Sequence, residues 1–292
     1  MLQYMPMPRP KELTIRGETQ LLEKRHLKKA TKLGEFIRNR VSDFLSNRVT
    51  IQVEGEKNLE VLHHTGAILA VLPHNGHIDT GILRAALEEE LRKNLFFIAG
   101  ADYWHKAVLS EDDSIKEKIA KIVTTAFLKT VGPAGARIFP IDRFNRDQSN
   151  YDLEQIAERT LHGEFAVFYP EGTRRNWGKP LSEREFKTGI GHVILLTEGK
   201  VPVIPIYLEG NENLLPPDSK RPHFNDEAGK PHTVIVHIGE ALDFSSFIPE
   251  NPKEMGYKEV RAFRNMTTSA LKGHFLGKYD DSDDVLKHVP KY

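Results

Sequence analysis

The 292-residue chain contains no cysteine. It therefore has no disulfide framework, no thiolate nucleophile and no Cys-ligated zinc. It has no excess of either charge: 41 Lys+Arg stand against 41 Asp+Glu, with 13 His. This balance argues against a generally basic nucleic-acid binder and leaves local patches open. Long apolar runs are missing too. A bilayer span needs about 20 mostly apolar residues, and the longest weakly charged run, 65–83, is broken by Pro73, His74, Asn75, Gly76, His77 and Asp79. Residues 1–10 hold three prolines and no apolar core of signal-peptide length. The expectation is a soluble, cytoplasmic chain, bound at most to a membrane surface.

What is present is a globular composition, 39% apolar and 28% charged. Residues 1–16 read as a loose lead-in. From 18 to 47 apolar residues recur at helical steps, among them Leu22, Leu33, Ile37, Val41 and Leu45. Between Arg16 and Arg48 nine Lys/Arg face four Asp/Glu. Such a segment either covers a core or rests on anionic lipid.

After residue 48 the pattern alternates. Apolar, β-rich runs fall at 67–72, 95–99, 137–141, 165–169, 203–208 and 234–239. Helical patterns fall at 78–93, 115–130, 151–162, 186–198 and 252–271. Strands separated by helices predict an α/β fold with one mixed, mostly parallel sheet flanked by helices. The expected organisation is a lead-in and amphipathic segment over 1–48, an α/β domain over 49–279 and an acidic tail over 280–292. Residues 211–230, with Pro216, Pro217, Pro222 and Gly229, read as a surface loop.

Four segments carry chemistry. In the first, an apolar strand ends at Pro73 and a helical pattern opens near Ile78, the place where α/β sheets usually bind ligands. His74 and Asp79 lie five positions apart across that turn, so the carboxylate can reach one imidazole nitrogen and leave the other to substrate. Such a pair suits a general base. Two other readings compete: His74, His77 and Asp79 as metal ligands, and an Asx or N-cap role for Asn75 or Asp79.

The second segment runs Tyr169, Pro170, Glu171, Gly172, Thr173, Arg174, Arg175. Turn amides and two guanidinium forks suit a phosphate or carboxylate, or the turn merely ends a strand with a surface ion pair. In the third, Arg143 follows a short strand, as a phosphate ligand or as a partner of Asp142 or Asp147. In the fourth, Pro202 and Pro205 bracket an apolar run, which reads as an edge strand or one with an irregular start.

In this order the four segments resemble the glycerolipid acyltransferase family typified by 1-acylglycerol-3-phosphate acyltransferase. Its first motif, Asn/His-His-x4-Asp, is matched at His74 and Asp79. The second is matched loosely from Gly135 to Arg143, the third from Tyr169 to Arg174, and the fourth from Val201 to Ile206. Phe186, Lys187 and Gly189 fit the Phe-Lys-x-Gly that follows the third. The resemblance covers roughly 50–240. It implies a fold like that of the glycerol-phosphate acyltransferases, with His74 as base and Asp79 orienting it. It implies acceptor binding by Arg143, Glu171, Gly172, Thr173, Arg174 and Lys187.

The implied co-substrate is acyl-CoA or acyl-carrier protein, with no metal and no other cofactor. The implied partners are that thioester donor and a phosphorylated lipid acceptor, with anionic membrane touching 18–47 and no nucleic acid. Alternatives are another acceptor (glycerol-3-phosphate, a lysophospholipid, a glycolipid or an amine), a metal-dependent hydrolase using His74, His77 and Asp79, and a non-catalytic lipid binder.

Overall fold

A computed structural model describes residues 34–76, 78–100, 137–173, 179–216, 219 and 222–279. Outside them lie the lead-in, residues 18–33, the 115–130 helical pattern, Gly135 of the second motif, His77, Arg174, Arg175 and the acidic tail.

The described strands are β1 (Thr50–Glu54), β2 (Ala67–Leu72), β3 (Leu95–Gly100), β4 (Ile138–Ile141), β5 (Phe165–Phe168), β6 (Val203–Glu209) and β7 (Thr233–Ile238). The described helices are α1 (34–46), α2 (Ile78–Ala86), α3 (Glu89–Arg92), α4 (Arg146–Leu161), α5 (Gly189–Leu196) and α6 (Tyr257–Lys278).

The strands form one mixed sheet in the order β1-β7-β6-β2-β5-β3-β4. All neighbours pair parallel except β6 and β7. Helices on both faces demand apolar side chains on both faces, and β2 answers with Ala-Ile-Leu-Ala-Val-Leu, all buried. Leu69 and Val71 point to the face packed by Ile82 and Leu83 of α2 and Leu91 of α3. Ile68, Ala70 and Leu72 point to the other, where α4, α5 and α6 bring Leu153, Ile156, Val193, Phe263 and Phe275. Period-two alternation assigns each residue to its layer.

Two expectations are corrected. The Val201–Ile206 run forms an interior strand, not an edge. Pro205 pairs with Ala70 of β2 in register, and its carbonyl accepts from Gly239 N at 2.8 Å, just past the end of β7. Backbone N–H and C=O of one strand residue point to the same side, so the missing N–H faces Gly239 at the end of β7 and costs only the return bond there, leaving the pairing with β2 untouched. The 211–230 stretch is not wholly surface: Asn211 is 1% exposed and Leu214 is fully buried.

The described part of the amphipathic segment, α1, packs on one face and leaves the other open. Leu45 is buried over α2 at Gly81, where an added Cβ would lie 2.5 Å from Leu45 Cδ1. Val41, one turn before Leu45, borders the same contact and stays half exposed, Phe44 is half exposed with its ring edge-on to Phe224 at 5.6 Å, and Phe36 stays exposed away from it.

Helix α5 lies close against α6. A Cβ on Gly191 would meet Thr267 Oγ1 at 2.5 Å and the Arg264 carbonyl oxygen at 2.7 Å. Backbone cannot step aside as a side-chain tip can, so overpacking here costs about 1–3 kcal/mol. Gly191→Val should lower the unfolding free energy by about that amount in urea titration; an unchanged midpoint would refute the close contact.

Candidate functional site

Five neighbouring strands, β6, β2, β5, β3 and β4, run parallel and end on the same edge. The loops after β2, β4, β5 and β6 meet there, and each delivers one of the sequence-predicted groups or a partner of one.

The β2 loop turns through a cis peptide between Leu72 and Pro73 and reaches α2 within a few residues. Asp79, in the first turn of α2, is fully buried. Its Oδ2 accepts from the Asn75 N–H at 2.9 Å and the Gly76 N–H at 2.8 Å, and lies 3.0 Å from His74 Nδ1. Its Oδ1 accepts from Asn211 Nδ2 at 2.9 Å. Burying a carboxylate costs several kcal/mol. Each hydrogen bond to a charged group returns about 1.5–3 kcal/mol, so four donors offset the cost. One carboxylate thus braces the turn that precedes α2, through the Asn75 and Gly76 amides, and orients the histidine. With both oxygens occupied by N–H donors, the set suits an anchored carboxylate better than a metal ligand. Among the described residues no cluster of three His, Asp or Glu could hold a metal ion.

His74 keeps 18% of its side chain exposed. An acceptor at Nδ1 selects the Nδ1–H tautomer and leaves Nε2 as the basic nitrogen. The ring plane is fixed by Tyr169, stacked at 3.9 Å between centroids and 17° between planes. The Tyr169 hydroxyl lies 3.2 Å from Thr80 Oγ1. Burial, and then the Asp79 charge, push the Tyr169 phenol well above its usual value, so it stays neutral and packs as a polar-tipped wall.

The β5 turn supplies Glu171, Gly172 and Thr173. The Glu171 side chain is fully buried, and its Oε1 accepts from the His74 backbone N–H at 3.3 Å and from Arg184 at 3.0 Å. Arg184 is in turn covered by Lys272 of α6, whose Nζ donates to its carbonyl at 2.7 Å. Glu171 thus ties the β5 turn to the β2 turn from beneath. Gly172 has φ +61°, and a Cβ there would sit 2.8 Å from Lys187 Cγ. Both constraints favour glycine, and they lay the Lys187 stem across the turn. Lys187 is largely exposed, with Nζ 3.5 Å from Glu185.

Arg143 leaves β4 and donates to the Gly172 carbonyl at 2.9 Å. Its loop is pinned by Asp142, whose Oδ1 accepts from the Phe144 and Asn145 N–H groups, and by Asn145 capping α4. The structure therefore brings His74, Asp79, Arg143, Glu171, Gly172, Thr173 and Lys187 to one edge. Arg174 lies outside the described residues.

Sequence reasoning missed Asn211, Arg184 and the stacking role of Tyr169. Tyr169 was at hand inside the third motif. Asn211 was marked by a polar residue at the carboxyl end of a strand, immediately after Gly210. Arg184 carried no local signal.

With this geometry in place, three comparisons bear on the chain. Residues 116–209 match the family model described as Acyltransferase. That span holds the second, third and fourth motifs; His74 and Asp79 precede it. Among solved structures, the chain is similar to PlsC, the 1-acyl-sn-glycerophosphate (LPA) acyltransferase of Thermotoga maritima. The identity is 17% and the TM-score 0.47, over 89% of this chain and 90% of that one. No curated protein sequence matches. The family model that matches 116–209 and the order of the motifs in the sequence thus point to a resemblance to the same family.

Removing the Arg184 guanidinium strands Glu171 without its charge partner. Arg184→Leu should destabilise by about 3–5 kcal/mol, the typical result of breaking a buried pair from one side. Denaturant unfolding measures this; a loss below 1 kcal/mol would mean that the pair contributes little to the turn.

Proposed function

We propose that this chain transfers a fatty acyl group from an acyl thioester, acyl-CoA or acyl-carrier protein, to the free hydroxyl of a phosphorylated glycerol lipid such as 1-acylglycerol-3-phosphate. The observation that carries the reading is the His74 Nδ1–Asp79 Oδ2 contact of 3.0 Å at the carboxyl edge of the sheet.

Nε2 of His74 takes the acceptor's hydroxyl proton as that oxygen attacks the thioester carbonyl. The C–O bond forms, the C–S bond breaks, and the imidazolium returns the proton to the departing thiolate. Asp79 orients the ring and stabilises the imidazolium between these steps. No protein nucleophile is needed, in keeping with a chain that has no cysteine. The acceptor phosphate lies against Arg143, Arg174 and Lys187, with the Glu171, Gly172 and Thr173 turn positioning it. Turn amides aimed at developing negative charge add to the rate.

A positioned general base contributes about 10²–10⁴-fold. His74→Ala should lower kcat by about that factor while leaving the thermal unfolding profile intact, read by thiol release and product mass across a panel of acceptors. Wild-type turnover in the folded variant would rule out the base. In the same assay Arg143→Ala should raise KM selectively for phosphorylated acceptors, and an unchanged KM would remove its phosphate role.

A lipid acceptor also calls for contact with a membrane surface, and we assign it to the open face of α1. Phe36 is 57% exposed and Phe44 48%. Arg40 lies 5.2 Å over the Phe36 ring and Arg48 5.4 Å over that of Phe44. Aromatic rings flanked by cations suit an anionic interface. No described helix is long and apolar enough to cross a membrane. In flotation assays the protein should bind anionic vesicles more tightly than neutral ones, and the Phe36→Ser, Phe44→Ser double variant should lose that binding. Equal binding to both vesicle types would remove the electrostatic basis.

A further inference from the structure

Behind His74 and Asp79 the side-chain amides of two asparagines form a chain of fixed polarity. A carboxylate oxygen can only accept, so the group of Asn211 that meets Asp79 Oδ1 at 2.9 Å is the amino group. That orientation turns Asn211 Oδ1 toward Asn75, whose Nδ2 donates to it at 3.0 Å. Asn75 Oδ1 is then buried without a hydrogen-bond partner. Flipping Asn75 to satisfy that oxygen would set it against Asn211 Oδ1, acceptor to acceptor. The fold keeps the orphan and the order of donors that starts at Asp79.

Asn211 is 1% exposed and comes from the end of β6, 132 residues beyond Asp79. The same amino group reaches the Pro73 carbonyl at 3.4 Å, so it bridges both ends of the β2 turn. Its contact with Oδ1 leaves Oδ2 to the histidine and the two turn amides.

We infer that Asn211 is a positioning residue for the proton transfer. By occupying Asp79 Oδ1, it fixes the carboxylate in the rotation that presents Oδ2 to His74 Nδ1–H. Without it, only the Asn75 and Gly76 amides hold the carboxylate, from the Oδ2 side, so its rotation about Cβ–Cγ loosens and the contact that selects the imidazole tautomer weakens. Asn75 supports Asn211 from the opposite side. This inference rests on His74 being the base.

The test is a double-mutant cycle in the full chain. Asn211→Leu keeps the volume and removes the amide. It should lower kcat by about 10–100-fold, the worth of one hydrogen bond to a charged group, with KM for the acceptor within about twofold. In an Asp79→Asn background the same substitution should cost less than about threefold, because two residues acting through one contact are not additive. A purely structural asparagine would give equal losses in both backgrounds, and that additivity would overturn the inference. If Asn211→Leu does not fold, Asn211→Ala is measured in the same cycle with the same readings. His74→Ala separates the two levels. Full turnover in that variant overturns the base and the positioning role together. Lost turnover with unchanged kcat in Asn211→Leu overturns the positioning role alone.

Discussion

The site depends on a buried negative charge. Asp79 is fully buried, and among the described residues its carboxylate is held by two turn amides, one asparagine and the imidazole that it orients. These N–H donors, two from the backbone and one from the Asn211 side chain, are neutral, so they stabilise the charge without cancelling its influence on His74. An arginine in place of Asn211 would satisfy the same oxygen while disfavouring the imidazolium that forms during turnover. The choice of neutral donors makes the carboxylate useful as well as tolerable.

The other buried acid near the site, Glu171, is treated differently. It is paired with Arg184, and the pair holds two turns together from below. Two carboxylates within one small region thus do different work because their partners differ: one faces neutral donors and orients a base, the other faces a guanidinium and joins loops. The cations proposed to meet the acceptor, Arg143 and Lys187, lie above at the surface, where solvent screens them until a ligand displaces the water. Tyr169 separates the layers, with its ring against His74 and its hydroxyl beside Thr80.

The strands were legible because burial on both sheet faces demands unbroken apolar runs, and β2, β5 and β6 have them. β1 was missed because Thr50–Glu54 is half exposed on the sheet edge and reads as ordinary alternation in a charged neighbourhood. For β6, Pro202 and Pro205 read locally as an edge strand or an irregular start; which way a missing N–H points is a property of the neighbour, not of the local sequence. His74 and Asp79 were legible because their contact spans five residues. Asn211 and Arg184 were not, because their partners are contributed by distant strands and turns. Gly172 could be read as a turn, whereas the lysine lying across it could not.

The position of β2 has a consequence for how the protein comes into being. Its two neighbours, β5 and β6, are synthesised long after it, and so are Glu171 and Asn211. During translation this wholly apolar strand must wait for roughly the next third of the chain before one edge is covered, and for roughly half before the other edge is covered and the acid that follows it has its asparagine partner. Contacts this far apart in sequence form slowly, and an unpaired apolar strand invites association with other chains meanwhile. The central placement that shields the finished site therefore makes the nascent chain dependent on being sheltered until residue 211 has emerged.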